Sequence, residues 1–296
     1  MAVLALEPPL CYIRSFSDGT WAAFFHGASH MNTWNDHLQV AIEAARLAGS
    51  YQRHRFTSPL SIELKGDKDL VTEVDRESER LIVQQLLNRF PDHSILAEEG
   101  SCPHSESPHC WIIDPLDGTT NFAHGFPWFC VSIALEADGE LVAGVILNPI
   151  HDELFTATRG GGAFLNGRRL RVSERSPLKD TLLGTGFPYD CASDPVNNFD
   201  NFMAFQRAAR GIRRAGAAAL DLASVAAGRL DGFWELKLKP WDVAAGVLLV
   251  REAGGMVSGF DGSEYSIFHN RILASNGLIH GEMATMLERV ASEEAA

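Results

Sequence analysis

Trp111-Ile112-Ile113-Asp114-Pro115-Leu116-Asp117-Gly118-Thr119-Thr120-Asn121-Phe122 is the stretch whose reading decides the fold. Three apolar residues run into an aspartate, a proline that cannot extend a sheet ladder, a second aspartate and Gly-Thr-Thr. This pattern predicts a buried strand that stops abruptly, then a polar loop and a helix start. Asp114 and Asp117 then stand at the mouth of a strand beside Gly118 and Thr119, whose backbone N–H groups can face an anion. Carboxylates repel such an anion unless a cation lies between. Hard oxygen donors, few in number and with positions left open, suit Mg²⁺ that takes a phosphate as its last ligand. The plainer reading is a strand-end Asp turn, with Asp114 capping the Asp117 amide and nothing bound.

Working outward, Glu98 and Glu99 follow a second short apolar strand, Ile95-Leu96-Ala97, and Asp242 opens a helix after Pro240-Trp241. Bringing such carboxylates together without a cation costs free energy. Six pieces occur in order: Asp69-Leu70-Val71-Thr72-Glu73-Val74-Asp75, Ala97-Glu98-Glu99-Gly100, the stretch from Asp114 to Phe122, Gly162-Ala163-Phe164-Leu165-Asn166-Gly167, the stretch from Arg213 to Ala219, and Trp241-Asp242-Val243-Ala244-Ala245. Together they resemble the inositol monophosphatase family of Mg²⁺-dependent, Li⁺-sensitive phosphatases, from about residue 33 to near the end of the chain.

The resemblance implies an α+β fold, a layered α/β sandwich of the inositol monophosphatase/fructose-1,6-bisphosphatase type with largely antiparallel sheets. It implies a catalytic domain over residues 31–296 and a homodimer. It assigns Glu98, Asp114 and the Leu116 carbonyl to one Mg²⁺, and Asp114, Asp117 and Asp242 to a second, with Glu98 reaching a third, weaker ion. Asp75 and Thr119 are implied to pair and orient the attacking water. Asp117, Gly118, Thr119, Gly216, Ala218 and Glu235 are implied to meet the substrate, Glu235 through a hydroxyl. Lys65 matches a mobile-loop lysine. Each has a plainer reading: Asp75 and Asp242 as first-turn helix acids, Glu235 as an edge-strand charge at the surface.

Composition bounds the alternatives. The chain has 296 residues and a formal charge of -13, which disfavours a nucleic-acid surface built on clustered Lys and Arg. Metal ions, not the overall field, must then draw in a phosphate. Five cysteines without framework spacing fit a reducing compartment, and no apolar run approaches the roughly 20 residues needed to cross a bilayer, so a cytoplasmic protein is expected. Residues 1–30 read as an N-terminal extension: Glu7-Pro8-Pro9 interrupts the apolar start, and Gly27-Ala28-Ser29-His30-Met31 resembles a cloning junction.

The remaining pattern predicts an amphipathic helix from Thr33, closed by Gly49, and a second from Val71 to Phe90 stopped by Pro91. A hairpin turns at Asp138-Gly139, another tight turn falls at Asn166-Gly167, and Gly160-Gly161-Gly162 permits a sharp reversal without a Walker pattern. Such a meander excludes a simple parallel doubly wound sheet. Helices end at Gly228 and Gly254-Gly255, and the last begins near Gly281. Cys102, His104, His109 and Cys110 have no zinc-finger spacing and read as a solvated loop.

Within the family, substrates include inositol monophosphates, fructose bisphosphate, histidinol phosphate and phosphoadenosine 3′-phosphates. Thr119 to Phe122, His124-Gly125-Phe126-Pro127 and Leu183-Gly184-Thr185-Gly186-Phe187-Pro188-Tyr189 resemble the inositol-1-phosphate branch, so a small phosphorylated polyol or sugar is the expected substrate. A reading of another class is a binding role, because some bacterial relatives join transcription or ribosome-assembly complexes. Arg207, Arg210, Arg213 and Arg214 make a local basic cluster that fits such a partner, a dimer interface or the substrate loop.

Overall fold

The computed structural model describes residues 34–58, 62–64, 70–100 and 107–294. The expected N-terminal extension, the Thr33 cap, Lys65, Cys102 and His104 lie outside the described residues. The first part of the chain forms α1 (Asn35–Arg55), β1 (Ile62–Leu64), β2 (Leu70–Thr72), α2 (Glu73–Arg89), β3 (Ser94–Ala97), β4 (His109–Asp117) and α3 (Thr119–Ala123). A meander follows as β5 (Cys130–Ala137), β6 (Glu140–Asn148), β7 (Glu153–Thr158), β8 (Gly162–Leu165) and β9 (Arg168–Arg169). The rest comprises β10 (Leu182–Thr185), α4 (Phe199–Ala208), β11 (Gly211–Arg213), α5 (Ala218–Ala226), β12 (Gly232–Leu236), α6 (Pro240–Glu252), β13 (Met256–Ser258), β14 (Arg271–Ser275) and α7 (His280–Glu294).

β4 is apolar on consecutive residues because both its faces are covered. Its alternation sends Trp111 and Ile113 into one core with Ala41, Ala45, Ile82 and Leu86 of α1 and α2. Ile112 enters another core with Leu222 of α5 and Val243 and Val247 of α6. Seven strands in the order β3-β4-β5-β6-β7-β8-β9 make this sheet. A second sheet, ordered β11-β10-β12-β14-β13, turns Phe233, Ile272 and Ala274 toward α5 and α6. Its other face sends Leu183, Trp234 and Leu273 into a core with Phe205 of α4 and Met283 and Leu287 of α7. The result is five alternating layers, helices between and outside two sheets. Most strand pairs are antiparallel, with parallel pairs at β3–β4, β10–β11 and β10–β12. No described helix is long and apolar enough to cross a membrane.

Three local expectations differ from what is observed. β4 does not stop at Asp114 but continues to Asp117 across a register shift with β5, so Pro115 sits in a bulge, where a missing N–H breaks no ladder bond. α1 passes through Gly49 to Arg55. A Cβ at Gly49 would stand 2.8 Å from Leu147 Cδ2, so this glycine serves close helix-to-sheet contact and not a helix end. Val71 and Thr72 belong to β2, and α2 begins one residue later because Thr72 is its cap: Thr72 Oγ1 accepts from Val74 N at 3.1 Å, and Asp75 accepts from Thr72 N at 2.8 Å.

Candidate active site

The site gathers at the ends of β3 and β4 and the starts of α2, α3, α5 and α6. Alternation places Asp114 on the Ile112 face of β4, toward α5 and α6. The parallel register pairs Ala97 with Ile113, so Glu98, next along the chain, comes beside Asp114. The Glu98 amide closes that corner by donating to Ile113 O at 3.3 Å. Pro240 opens α6 and places Asp242 in its first turn, where Asp242 Oδ2 accepts from Lys239 N at 2.6 Å. Asp117, past the bulge, accepts from Ala219 N in the first turn of α5 at 2.8 Å through Oδ2.

Burial and mutual repulsion dominate the electrostatics. Asp114 is 2% exposed and its pKa is raised well above the usual carboxylate value, first by desolvation and then by Glu98, Asp117 and Asp242. Asp117 is pushed up to about 8 by desolvation and by Asp242, against the stabilising bond from Ala219 N. Among the described residues, no three His, Cys, Asp or Glu side chains are already closed into a metal cage. The carboxylates lean instead on backbone amides, Asp114 Oδ1 accepting from Leu116 N at 3.0 Å. The Asp114 turn is thus real, though its donor is Leu116 and not Asp117. Amide hydrogen bonds do not offset the rise that burial and the neighbouring acids impose on Asp114 and Asp117, and hard cations would. Glu98, Asp114, Asp117, Asp242 and the Leu116 carbonyl are an all-oxygen donor set that suits Mg²⁺.

Asp75 is both the first-turn acid of α2 and a partner of the site. Its Oδ2 accepts from Thr72 N and Oγ1, while Oδ1 accepts from Thr119 Oγ1 at 2.8 Å. Thr119 Oγ1 also lies 3.1 Å from Leu116 O, but its single proton favours the nearer, charged carboxylate. Asp75 is 1% exposed, and desolvation raises its pKa against the bonds from Thr72 and Thr119.

Gly118 adopts φ 94, and a Cβ there would lie 3.0 Å from Trp128 O, so the turn into α3 admits only glycine without strain. Gly216, at φ 86, precedes Ala218 at the start of α5. Glu235 is 9% exposed on β12, an interior strand of the second sheet and not an edge. Its carboxylate occupies the space that a side chain at Gly186 would fill, since a Cβ there would stand 2.0 Å from Glu235 Oε1.

Three neighbours had no role in the sequence reading. Asn121 Nδ2 donates to Trp128 O at 2.7 Å and Ala215 O at 2.9 Å, tying α3 to the Gly216 loop. Cys130 Sγ approaches Asp117 Oδ2 at 3.7 Å. Asp221, 2% exposed, has its pKa raised well above normal by desolvation and then by Asp117, while Arg214 opposes the rise. Its Cγ lies 3.6 Å from where a Gly184 side chain would begin. Gly186, just past β10, held part of the signal, because it leaves room for the Glu235 carboxylate. Away from the site, His109 stacks on His93 at 4.7 Å, and Cys110 and Cys191 are free thiols, as Cys130 is within it.

Comparison with known proteins agrees with this geometry. The family model described as the inositol monophosphatase family matches residues 34–293. An inositol-1-monophosphatase of Synechocystis sp. is 46% identical over 261 residues, covering 88% of this chain and 90% of the relative. A Nus factor SuhB of Pseudomonas aeruginosa is 50% identical over 248 residues, covering 81% and 91%. The solved structure of an inositol monophosphatase from Anabaena (Nostoc) superposes with a TM-score of 0.79 at 44% identity, covering 86% of this chain and 96% of that one. With the layers, the motif order and the relatives in agreement over most of its length, the chain belongs to the inositol monophosphatase family and is a phosphatase.

Proposed function

We propose that this phosphatase hydrolyses small phosphate monoesters with Mg²⁺, inositol 1-phosphate foremost among them. The observation that carries the reading is that Glu98, Asp117 and Asp242 all stand near enough to the buried Asp114 to raise its pKa. Glu98, Asp114 and the Leu116 carbonyl would hold one ion, Asp114, Asp117 and Asp242 a second, and Glu98 would reach a third. When bound, the ions supply positive charge that offsets the phosphoryl oxygens and makes water in the site more acidic. The protein's own groups then orient and deprotonate. With its O–H donated to Asp75, the Thr119 oxygen accepts a hydrogen bond from the attacking water and holds it in line with the scissile bond. Because burial raises the pKa of Asp75, that carboxylate is a competent terminus for a proton passed through Thr119. Gly118, Thr119, Gly216 and Ala218 border the phosphate and polyol, and Glu235 bonds a substrate hydroxyl.

Phosphate release from inositol 1-phosphate, fructose 1,6-bisphosphate, histidinol phosphate and phosphoadenosine phosphate, measured side by side with Mg²⁺ and with EDTA, tests this. Turnover should require Mg²⁺, be highest on inositol 1-phosphate and fall with added Li⁺. Equal rates in EDTA would remove the metal from the reading. Homodimerisation and a cytoplasmic setting complete the proposal, the former open to light scattering.

Gly186→Ala probes the Glu235 assignment. The added methyl displaces the Glu235 carboxylate, so KM for inositol 1-phosphate should rise about tenfold, the worth of one charged hydrogen bond. Turnover of p-nitrophenyl phosphate, which lacks a polyol hydroxyl, should change little. An equal loss on both substrates would count against a hydroxyl contact.

Cation binding should also depend on pH, with a definite sign. Folding moves Asp117 from an ordinary 3.8 to about 8, so between these values the folded, metal-free chain holds more protons than the unfolded one. Stability in EDTA therefore falls as pH rises from about 4 to about 8. A cation must displace that proton, so the half-saturating Mg²⁺ concentration should drop over the same window. Melting curves in EDTA and Mg²⁺ titrations at pH 6, 7 and 8 read both trends, and a Mg²⁺ requirement flat across them would contradict the assignment.

A second reading, a role in transcription complexes, is favoured by the name of the Pseudomonas aeruginosa relative, Nus factor SuhB. Of the arginine cluster, Arg210 is paired with Asp180 at 2.6 Å, while Arg213 and Arg214 are exposed. Capture of a transcription partner should survive Asp114→Asn, which separates this role from catalysis.

A further inference from the structure

We propose that Gln52, on α1, is a positioning residue that sets the orientation of Asp114 through a single peptide unit, and thereby tunes cation binding; this rests on the metal-dependent reading above. Gln52 is fully buried, and its Nε2 donates to Pro115 O at 2.6 Å. Pro115 and Leu116 lie in the bulge, where neither is paired with β5, so their shared peptide has no ladder to fix its plane on that side. The oxygen of this peptide is held by Gln52. Its N–H, on Leu116, donates to Asp114 Oδ1 at 3.0 Å. A peptide is rigid and planar, so fixing its oxygen aims its N–H, and the N–H in turn selects the rotation of the Asp114 carboxylate. Polarisation through the amide strengthens both bonds.

The same side chain reaches the other half of the site. Gln52 Nε2 lies 3.2 Å from Ser78 Oγ on α2, the helix whose first turn carries Asp75. A carbonyl can only accept, so the Gln52 amide must turn its nitrogen to Pro115. Among the described residues, that leaves Oε1 buried with no partner. An unpaired buried acceptor is unfavourable, and packing alone would be better served by an apolar side chain of equal length. The donor to Pro115 is what such a residue cannot supply.

Gln52→Met keeps the volume and removes the donor. Metal-free protein titrated with Mn²⁺ in a calorimeter should bind about tenfold more weakly in this variant, the lower end of the range for groups that orient metal ligands. Its metal-free melting temperature should change little, since the orphaned Gln52 oxygen is gone while the Pro115 carbonyl loses its donor. At saturating Mg²⁺, kcat should fall while substrate KM stays within about twofold. Ser78→Ala, which leaves the Pro115 bond in place, should bind Mn²⁺ as the wild type does, and Gln52→Asn, too short to reach Pro115, should bind it as weakly as Gln52→Met. Unchanged Mn²⁺ affinity in a folded Gln52→Met or Gln52→Asn protein overturns the inference, as does an equal loss in Ser78→Ala. If the wild type turns over with Mg²⁺ while the Gln52 variants match it, this inference alone fails. Wild-type protein that binds no Mn²⁺ ends the metal-dependent reading and this one with it.

Discussion

Asp114→Asn should leave a folded protein whose Mg²⁺-dependent phosphate release is lost by about three orders of magnitude or more, roughly 4 kcal/mol of transition-state stabilisation. The substitution is close to isosteric, so the backbone bond from Leu116 N to the side-chain oxygen can persist. What goes is a buried negative charge that Glu98, Asp117 and Asp242 all oppose. In the metal-free state its removal relieves repulsion, so the melting temperature in EDTA should hold or rise. With metal the sign reverses, because the proposed bridging ligand is absent: Mg²⁺ should no longer raise the melting temperature. Circular dichroism, melting curves with and without Mg²⁺, and phosphate release check all three. Retained turnover would remove Asp114 from the chemistry.

Thr119→Ala should lower kcat by about 10² to 10³, within the usual range for losing a positioned proton-transfer group, and change KM little. The hydroxyl donates to Asp75 Oδ1, 44 residues away in sequence, and so ties that acid to the β4 turn. Without it Asp75 still caps α2 through Thr72, so the fold should lose only about 1 kcal/mol. Thr119→Ser keeps the oxygen and should recover most of the rate. Steady-state kinetics of both variants, with Mg²⁺ saturation checked separately, distinguish lost water orientation from lost metal. A rise in KM with unchanged kcat would move Thr119 from the water to the substrate.

The site acids were legible because each sits at the end of a short, well-patterned element. Ile95-Leu96-Ala97 before Glu98, Trp111-Ile112-Ile113 before Asp114, and Pro240-Trp241 before Asp242 mark strand ends and a helix start by local rules alone. The Asp138-Gly139 and Asn166-Gly167 turns were equally plain, since their positive φ values favour these residue types. Gly49 misled for the opposite reason. A glycine inside a helical pattern reads as a stop until the neighbour it accommodates, Leu147, is known. Pro115 misled likewise: a proline ends a ladder, unless a bulge takes it out of register.

Gln52, Asn121 and Asp221 could not be found from the sequence. A polar residue within a helical run looks like one more position on a solvated face, and Gln52 is distinguished only by burial against a carbonyl 63 residues away. The amino-acid order by itself determined most of the elements and the identity of the acids, because capping, alternation and turn geometry act over a few residues. Only the tertiary structure decided that β3 lies parallel beside β4 and that α5 and α6 start against it, so that acids far apart along the chain share one poorly solvated place. The raised pKa values of Asp114 and Asp117 arise there, since repulsion and desolvation depend on distance through space and on the water excluded by packing, neither of which is written in the order of residues.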